Sequence, residues 1–175
     1  LNDAMRKLWE DHIVWTRLYI VSAAADLPDA DLVAQRLLQN QTDIGDAVKG
    51  FYGDEAGAAL TELLNEHILL AAEAIGHAKA GDTTAFDNAL ARWYTNADNI
   101  ATFLSTANPD AWPLDEMKVM MKSHLDLTLE EAGARLGGDF AADIAAYDKV
   151  HEDILHMADM LSMGLMQQFP DMFSN

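Results

Sequence analysis

Cysteine is absent from the 175 residues, which removes disulfides, zinc thiolates, iron–sulfur clusters and thiol nucleophiles at once. Proline is scarce: Pro28, Pro109, Pro113 and Pro170 are the only four, and each sits between helical patterns or at the end of one. Half of the residues are hydrophobic, yet no unbroken apolar run reaches the ~18 residues that read as a membrane span. Positive charge is the other shortage. Eleven Lys and Arg face 29 Asp and Glu, for a net charge of −18. Such an acidic chain has no basic face for phosphates, which argues against nucleic acid and against an anionic membrane surface. It suits a soluble protein that resists aggregation and attracts cations. No serine is placed for a nucleophile elbow, and no glycine-rich loop cradles a phosphate; Gly133, Gly137 and Gly138 read as the end of a helix. No enzyme active site is legible.

The chain holds a three-fold internal repeat. The segments LWEDHIVWT around His12, LLNEHILLA around His67 and MMKSHLDLT around His124 read alike, and their histidines recur at nearly even intervals. A second site follows each histidine at a nearly constant distance: Asn40, Asn96 and Asp153. Arg36, Arg92 and Lys149 stand one helical turn before these sites, placed to pair with carboxylates there. Between histidine and second site lie turn signals, Leu27-Pro28-Asp29, Ala80-Gly81-Asp82 and Gly137-Gly138-Asp139, whose aspartates can accept from the free amides of the next helix. The expected fold is all-α: one domain over residues 1–175, a six-helix antiparallel bundle of three tandem hairpins at about 1–53, 54–110 and 111–175. The helices are expected over about 3–26, 29–51, 54–79, 82–107, 113–136 and 139–168. Helix 6, apolar nearly all round, is expected at the centre. The stretch from Asn108 to Pro113 is expected to be the looser joint.

Periodicity says where the polar residues point. Leu8, His12, Trp15 and Tyr19 share one helical face, as do Leu63, His67 and Leu70, and Met120, His124, Leu127 and then Glu131. Asn40 lies on the Val33–Leu37–Ile44 stripe and Asn96 on the Trp93–Ile100 stripe. His124 precedes Asp139 by almost the same count as Asp153 follows it. At ~1.5 Å per residue both sit at one height, and His67 and Asn96 repeat the arrangement about Asp82. In the first hairpin His12 lies farther from Asp29 than Asn40 does, so its turn must start earlier or its register differ. An inward layer of His12, His67, His124, Asn40, Asn96 and Asp153 is therefore expected, with Asp43, Asn99 and His156 one turn away.

Two readings of that layer stay open. One is a hydrogen-bonded network that fixes helix register, since imidazoles and carboxamides both donate and accept. The other is a divalent transition-metal site, because imidazole nitrogen and carboxylate oxygen together suit such ions. The expected ligands are His124, Asp153 and His156, with His67 or water completing four-coordination and His12 also in the layer. The third hairpin is favoured because it alone carries an anionic oxygen at the second site and an imidazole one turn on. A Glu-x-x-His motif is absent. Met117, Met120, Met121, Met157 and Met160 read as core filling rather than haem ligands. Glu10, Glu62, Glu66, Glu130 and Glu131 read as solvated faces. Buried histidines should be held neutral, with lowered pKa values.

The stretches LWEDHIVWTR, QRLLQNQTDIG, RWYTNADNIATFL, HLDLT and MADMLSMGLMQQFPDMF resemble a family of small all-helical bacterial proteins without an established activity, over nearly the whole chain. The resemblance implies a shared fold and transfers no site residues. The functional expectation is thus a non-enzymatic bundle with a buried polar layer that takes a metal ion, or a self-assembling interaction scaffold in which the layer is purely structural. The partners in view are a metal ion and further copies of the chain. The chain begins at Leu1 with neither an initiator methionine nor a signal peptide. That inclines the expected compartment towards export through a cleaved signal, with the cytoplasm as the alternative.

Overall fold

A computed structural model describes residues 1–173, and the chain forms six long helices followed by one short 3-10 turn. These are α1 (Asn2–Ala24), α2 (Ala30–Tyr52), α3 (Asp54–Ala80), α4 (Thr83–Ala107), α5 (Leu114–Leu136) and α6 (Phe140–Gln168). No strand occurs among the described residues. Every expected helix is present, with ends close to those the turn signals mark. None is long and apolar enough to cross a membrane among the described residues.

The turns explain the boundaries. Asp82 and Asp139 accept from the amides of Ala85 and Ala142, both at 3.0 Å, and so satisfy a free donor in the first turn of α4 and α6. Gly81 and Gly138 take left-handed conformations that a side chain would strain. Asp29 also precedes its helix but makes no side-chain cap bond. In the first hairpin the turn does start earlier. Helix α1 stops at Ala24, and Asp26 takes a φ of 52° to reverse the chain. That leaves His12 and the Asn40–Gln41 pair at matched distances from the turn.

Each helix packs on its neighbours in sequence, and α6 returns to pack on α1, so the six close into a ring. Helix α6 is one member of that ring rather than its centre; Phe140, Ile144 and Met163 on its outer face are exposed. The ring closes around a core that runs from Met5 and Trp9 through Trp93, Met117 and Leu125 to Met157 and Leu165. Helices α2 and α3 pack tightly at Gly45 and Gly57. A Cβ on Gly45 would lie 2.7 Å from the Gly57 carbonyl and would collide with the Thr61 hydroxyl. The Asn108–Pro113 connection is anchored rather than loose. Trp112 is buried against Gly164, where no Cβ would fit beside its indole. The Asn108 amide donates to the Gly164 carbonyl at 2.9 Å.

Candidate functional site: a buried imidazole and carboxamide layer

Helices α1, α3 and α5 each deliver one histidine to the middle of the ring. His12, His67 and His124 are all nearly inaccessible, at 3, 3 and 4% exposure. The His124 ring lies between the other two, 5.6 Å from His12 and 6.2 Å from His67. Trp9 abuts His12 at 5.8 Å and Trp93 abuts His67 at 5.2 Å. Five rings therefore run in a file, Trp9–His12–His124–His67–Trp93.

Carboxamides from the even-numbered helices close the layer. Asn96 is buried and donates to the Leu63 carbonyl at 3.1 Å and to Glu66 at 2.9 Å. With both amide hydrogens used, its oxygen faces His67 Nδ1 at 3.0 Å and must accept from it. His67 therefore carries its proton on Nδ1, and Nε2 keeps the lone pair. Asn40, also buried, donates to the Leu8 carbonyl at 3.0 Å. Leu8 and Leu63 hold the same place, one helical turn before a histidine.

The partner of His12 is Gln41, which the spacing to Asn40 obscured. The Gln41 amide donates to the Leu37 carbonyl at 2.9 Å, which fixes its orientation, and its nitrogen also faces His12 Nδ1 at 3.3 Å. His12 Nδ1 thus accepts, and the ring proton sits on Nε2. A uniform spacing of 29 residues from histidine to partner, which His67 and Asn96 obey, would have selected Gln41.

The third hairpin departs from this pattern. His124 Nδ1 is buried without a hydrogen-bond partner. Asp153, at the matching position, is only half-buried and accepts from the Ser123 hydroxyl at 3.0 Å. It faces an open surface groove with Asp115, Glu116 and the exposed His156. The structure thus brings His12, His67 and His124 together on one side and Asp153 and His156 on the other. No hydrogen bond or ion pair joins the two sets among the described residues. There, too, no group of three or more His, Asp or Glu side chains is placed to hold a metal ion. Of the second tier, Asp43 is half-buried and Asn99 is exposed.

Electrostatics follow from burial. Desolvation holds His12 well below the usual imidazole range, helped by the neighbouring His124 and His67. It brings His67 down to about 4, against a raising contribution from the Asn96 bond, and His124 to about 3. All three are neutral imidazoles at neutral pH. Desolvation also raises the Asp153 carboxyl, which Ser123 and His156 partly offset.

A charged cluster lies beside the layer, where the sequence pattern suggested only solvated faces. Glu131 and Asp143, each 1% exposed, receive the Arg17 guanidinium at 2.7 and 2.8 Å. Arg135 reaches Asp143 from the other side at 3.4 Å, and Arg17 lies over the Tyr147 ring. Burial raises the Glu131 carboxyl to about 7 despite Arg17. Glu131 falls on the His124 stripe, two turns on, and that was the available signal. Arg92 and Lys149 pair with Glu73 and Glu130, which hold equivalent positions on the preceding helix. The corresponding position before Arg36 holds Arg17; Arg36 stacks over Trp15 at 5.0 Å and reaches Asp43 at 3.9 Å and Asp11 at 4.0 Å.

No family model, curated protein or solved structure matches the chain.

Proposed function

We propose that the protein is a non-enzymatic helical scaffold whose imidazole–carboxamide layer locks the helices in register. One observation carries this reading: the carboxamides next to histidines also bond to backbone carbonyls. Asn96 ties His67 to the helix that bears it by donating to the Leu63 carbonyl one turn earlier. Asn40 makes the matching bond to the Leu8 carbonyl. A slip of either helix pair by one residue would break these bonds and leave buried polar groups unpaired, at about 1–3 kcal/mol each. The recurrence of these bonds, and of the Arg92–Glu73 and Lys149–Glu130 pairs, supports reading the chain as tandem hairpins. The test is Asn40→Leu with Asn96→Leu. Loss of about 2–4 kcal/mol in urea unfolding, with helical circular dichroism kept, is the expected result. Unchanged stability would discard the register lock.

A second reading is favoured by the unpaired His124 Nδ1 between two neutral imidazoles: a transition-metal ion held among His12, His67 and His124. The Asn96 bond to His67 Nδ1 has the form of the outer-shell bonds that orient metal-bound histidines. Two features weigh against it. Imidazoles around one tetrahedral ion have ring centres about 5 Å apart, closer than the 5.6 and 6.2 Å here. His12 also carries its proton on Nε2 while Nδ1 accepts from Gln41, so neither nitrogen is free. Calorimetric titration of untagged protein with zinc and manganese decides between the readings. An ion lost on His124→Ala and kept on Asp153→Asn supports the three-imidazole centre, loss on both points to His124, Asp153 and His156 together, and no binding leaves the scaffold.

A further inference from the structure

We propose that the open groove between α5 and α6 binds a soft monovalent cation, copper(I), through the thioethers of Met120 and Met160 and the imidazole of His156. The methionines that the sequence pattern assigns to the core divide in the fold. Met117, Met121 and Met157 are buried there. Met120 and Met160 are only partly buried, and both line the groove that also holds the exposed His156. None of His12, His67 and His124 lines it, so the inference is independent of how the histidine layer is read.

Helix register brings the three donors together. The Ser123 hydroxyl donates to Asp153 at 3.0 Å, which sets these two residues side by side on antiparallel helices. Met120 lies three residues before Ser123 and His156 three after Asp153, so both stand at one height, ~4.5 Å along the axes from that bond. Met160 follows His156 by one helical turn, the spacing at which side chains of one helix meet. Methionine has three rotatable bonds, so each sulfur can swing towards a shared ion. His156 makes no hydrogen bond among the described residues, and a neutral imidazole always keeps one nitrogen lone pair. The donor set then decides the ion. Thioether sulfur is soft and selects copper(I), which imidazole also suits. Zinc takes thiolate, imidazole or carboxylate instead, and no group of three or more His, Asp or Glu is placed for it among the described residues. Asp115, Glu116 and Asp153 line the same groove and no Lys or Arg does, so its field draws cations in.

The test titrates the intact protein with copper(I) under nitrogen and with silver(I), its redox-inert stand-in, in chloride-free buffer. Calorimetry and NMR of the methionine methyl groups follow the binding. Saturable binding is expected, with the Met120 and Met160 methyl signals shifting and that of Met163 unmoved. Met163 is the control: an exposed thioether on the same helix, outside the groove. Met120→Leu and Met160→Leu conserve volume, and His156→Ala alters an exposed side chain, so the fold should hold in all three. Losing even an outer-shell partner of a bound metal costs about ten- to a hundred-fold in affinity, so losing a ligand should weaken silver(I) at least about ten-fold. Met163→Leu should leave the affinity unchanged. No saturable binding, binding that both leucine variants at Met120 and Met160 leave intact, or an equal loss on Met163→Leu overturns the site. No change on His156→Ala overturns the imidazole's part in it, and equal methyl shifts with zinc overturn the assignment to a soft monovalent ion.

Discussion

The second and third hairpins carry the same arrangement with one atom-level difference, and that difference reorganises the site. In α4 the residue that faces the histidine is Asn96, which is buried, bonds His67 and still has two hydrogens for the Leu63 carbonyl and Glu66. In α6 the equivalent residue is Asp153, which can only accept. A carboxylate turned inward could accept from an Nδ1–H just as the Asn96 oxygen does, but it would lose its water with no further donor there to offset the burial of its charge. Asp153 sits half-buried, with Oδ1 taking the Ser123 hydroxyl beside the groove, while its Oδ2 and His124 Nδ1 are both buried without a partner. The pKa values lie in the same order. Burial lowers both: His67, with its bond to Asn96, stays at about 4, and His124, which lacks one and is also repelled by His67, falls to about 3. A carboxamide can close a buried imidazole layer that a carboxylate leaves open.

The most severe way to break the contrast is to write the third hairpin's choice into the second. Asn96→Asp removes both donated bonds and sets a carboxylate beside Glu66 in a site 2% exposed. The expected loss is about 3–4 kcal/mol at pH 7.5, because a buried charge with no partner is among the costliest substitutions. The loss should shrink as the pH falls and the new carboxyl takes up a proton. Urea unfolding at pH 7.5 and 5.5 reads both effects. A loss below about 1 kcal/mol would mean that the carboxamide's donors are unimportant and the comparison is empty.

Acid should act on all three histidines together, with a smaller effect. Their folded pKa values are lowered, so below the unfolded value of about 6.5 the unfolded chain binds more protons and stability falls with pH. At pH 5.5 that is roughly 1.4 kcal/mol for each histidine relative to neutral pH. Glu131 has the opposite sign. Its carboxyl is raised to about 7, so between its unfolded value and 7 the folded protein holds the extra proton and gains stability as the pH falls. That recovers about 2 kcal/mol between pH 7.5 and 5.5, leaving a net loss of about 2 kcal/mol. Glu131→Gln should make the acid loss steeper. A melting temperature that does not change over this range in either protein would contradict neutral burial of the three rings.

What the sequence shows of this fold is what local rules determine. Helix ends were legible because turn aspartates, glycines and a 3.6-residue period act within a few residues. The unequal count around the first turn also announced its early start, which Asp26 makes by a left-handed residue. The heights of His12, His67 and His124 followed from counting residues to each turn. Rotation about the helix did not. Counting places Asp153 at the height of His124 but leaves open whether it turns inward or onto the groove. Glu131 read as solvated because its partner, Arg17, lies more than a hundred residues away in sequence; Asp143, which shares that arginine, is also more than a hundred residues from it. The Gly45–Gly57 approach and the seat of Trp112 on Gly164 are likewise contacts between helices, invisible to any pattern within one of them. Two prolines around Trp112 suggested a loose joint because they restrict the backbone, whereas the indole's burial decides the matter.

The gentlest change restores the missing bond. Asp153→Asn keeps an acceptor for Ser123 and adds two donors, with no new volume. Relieved of charge, the side chain has the same chemistry as Asn96 and the same distance in sequence from its histidine. It should turn inward and accept from His124 Nδ1, pairing the unpartnered nitrogen. The gain should be about 1 kcal/mol, the net worth of one buried hydrogen bond. Nitrogen-15 spectra of the imidazoles should then show a fixed Nδ1–H tautomer at His124 like that of His67. The titration of His124 should rise from about 3 towards the value of about 4 that Asn96 gives His67. If stability is unchanged and His124 keeps its original signature, charge is not what holds Asp153 outward. The rotation of α6 about its axis would then be the cause, and the difference between the two hairpins would belong to the backbone rather than to one atom of a side chain.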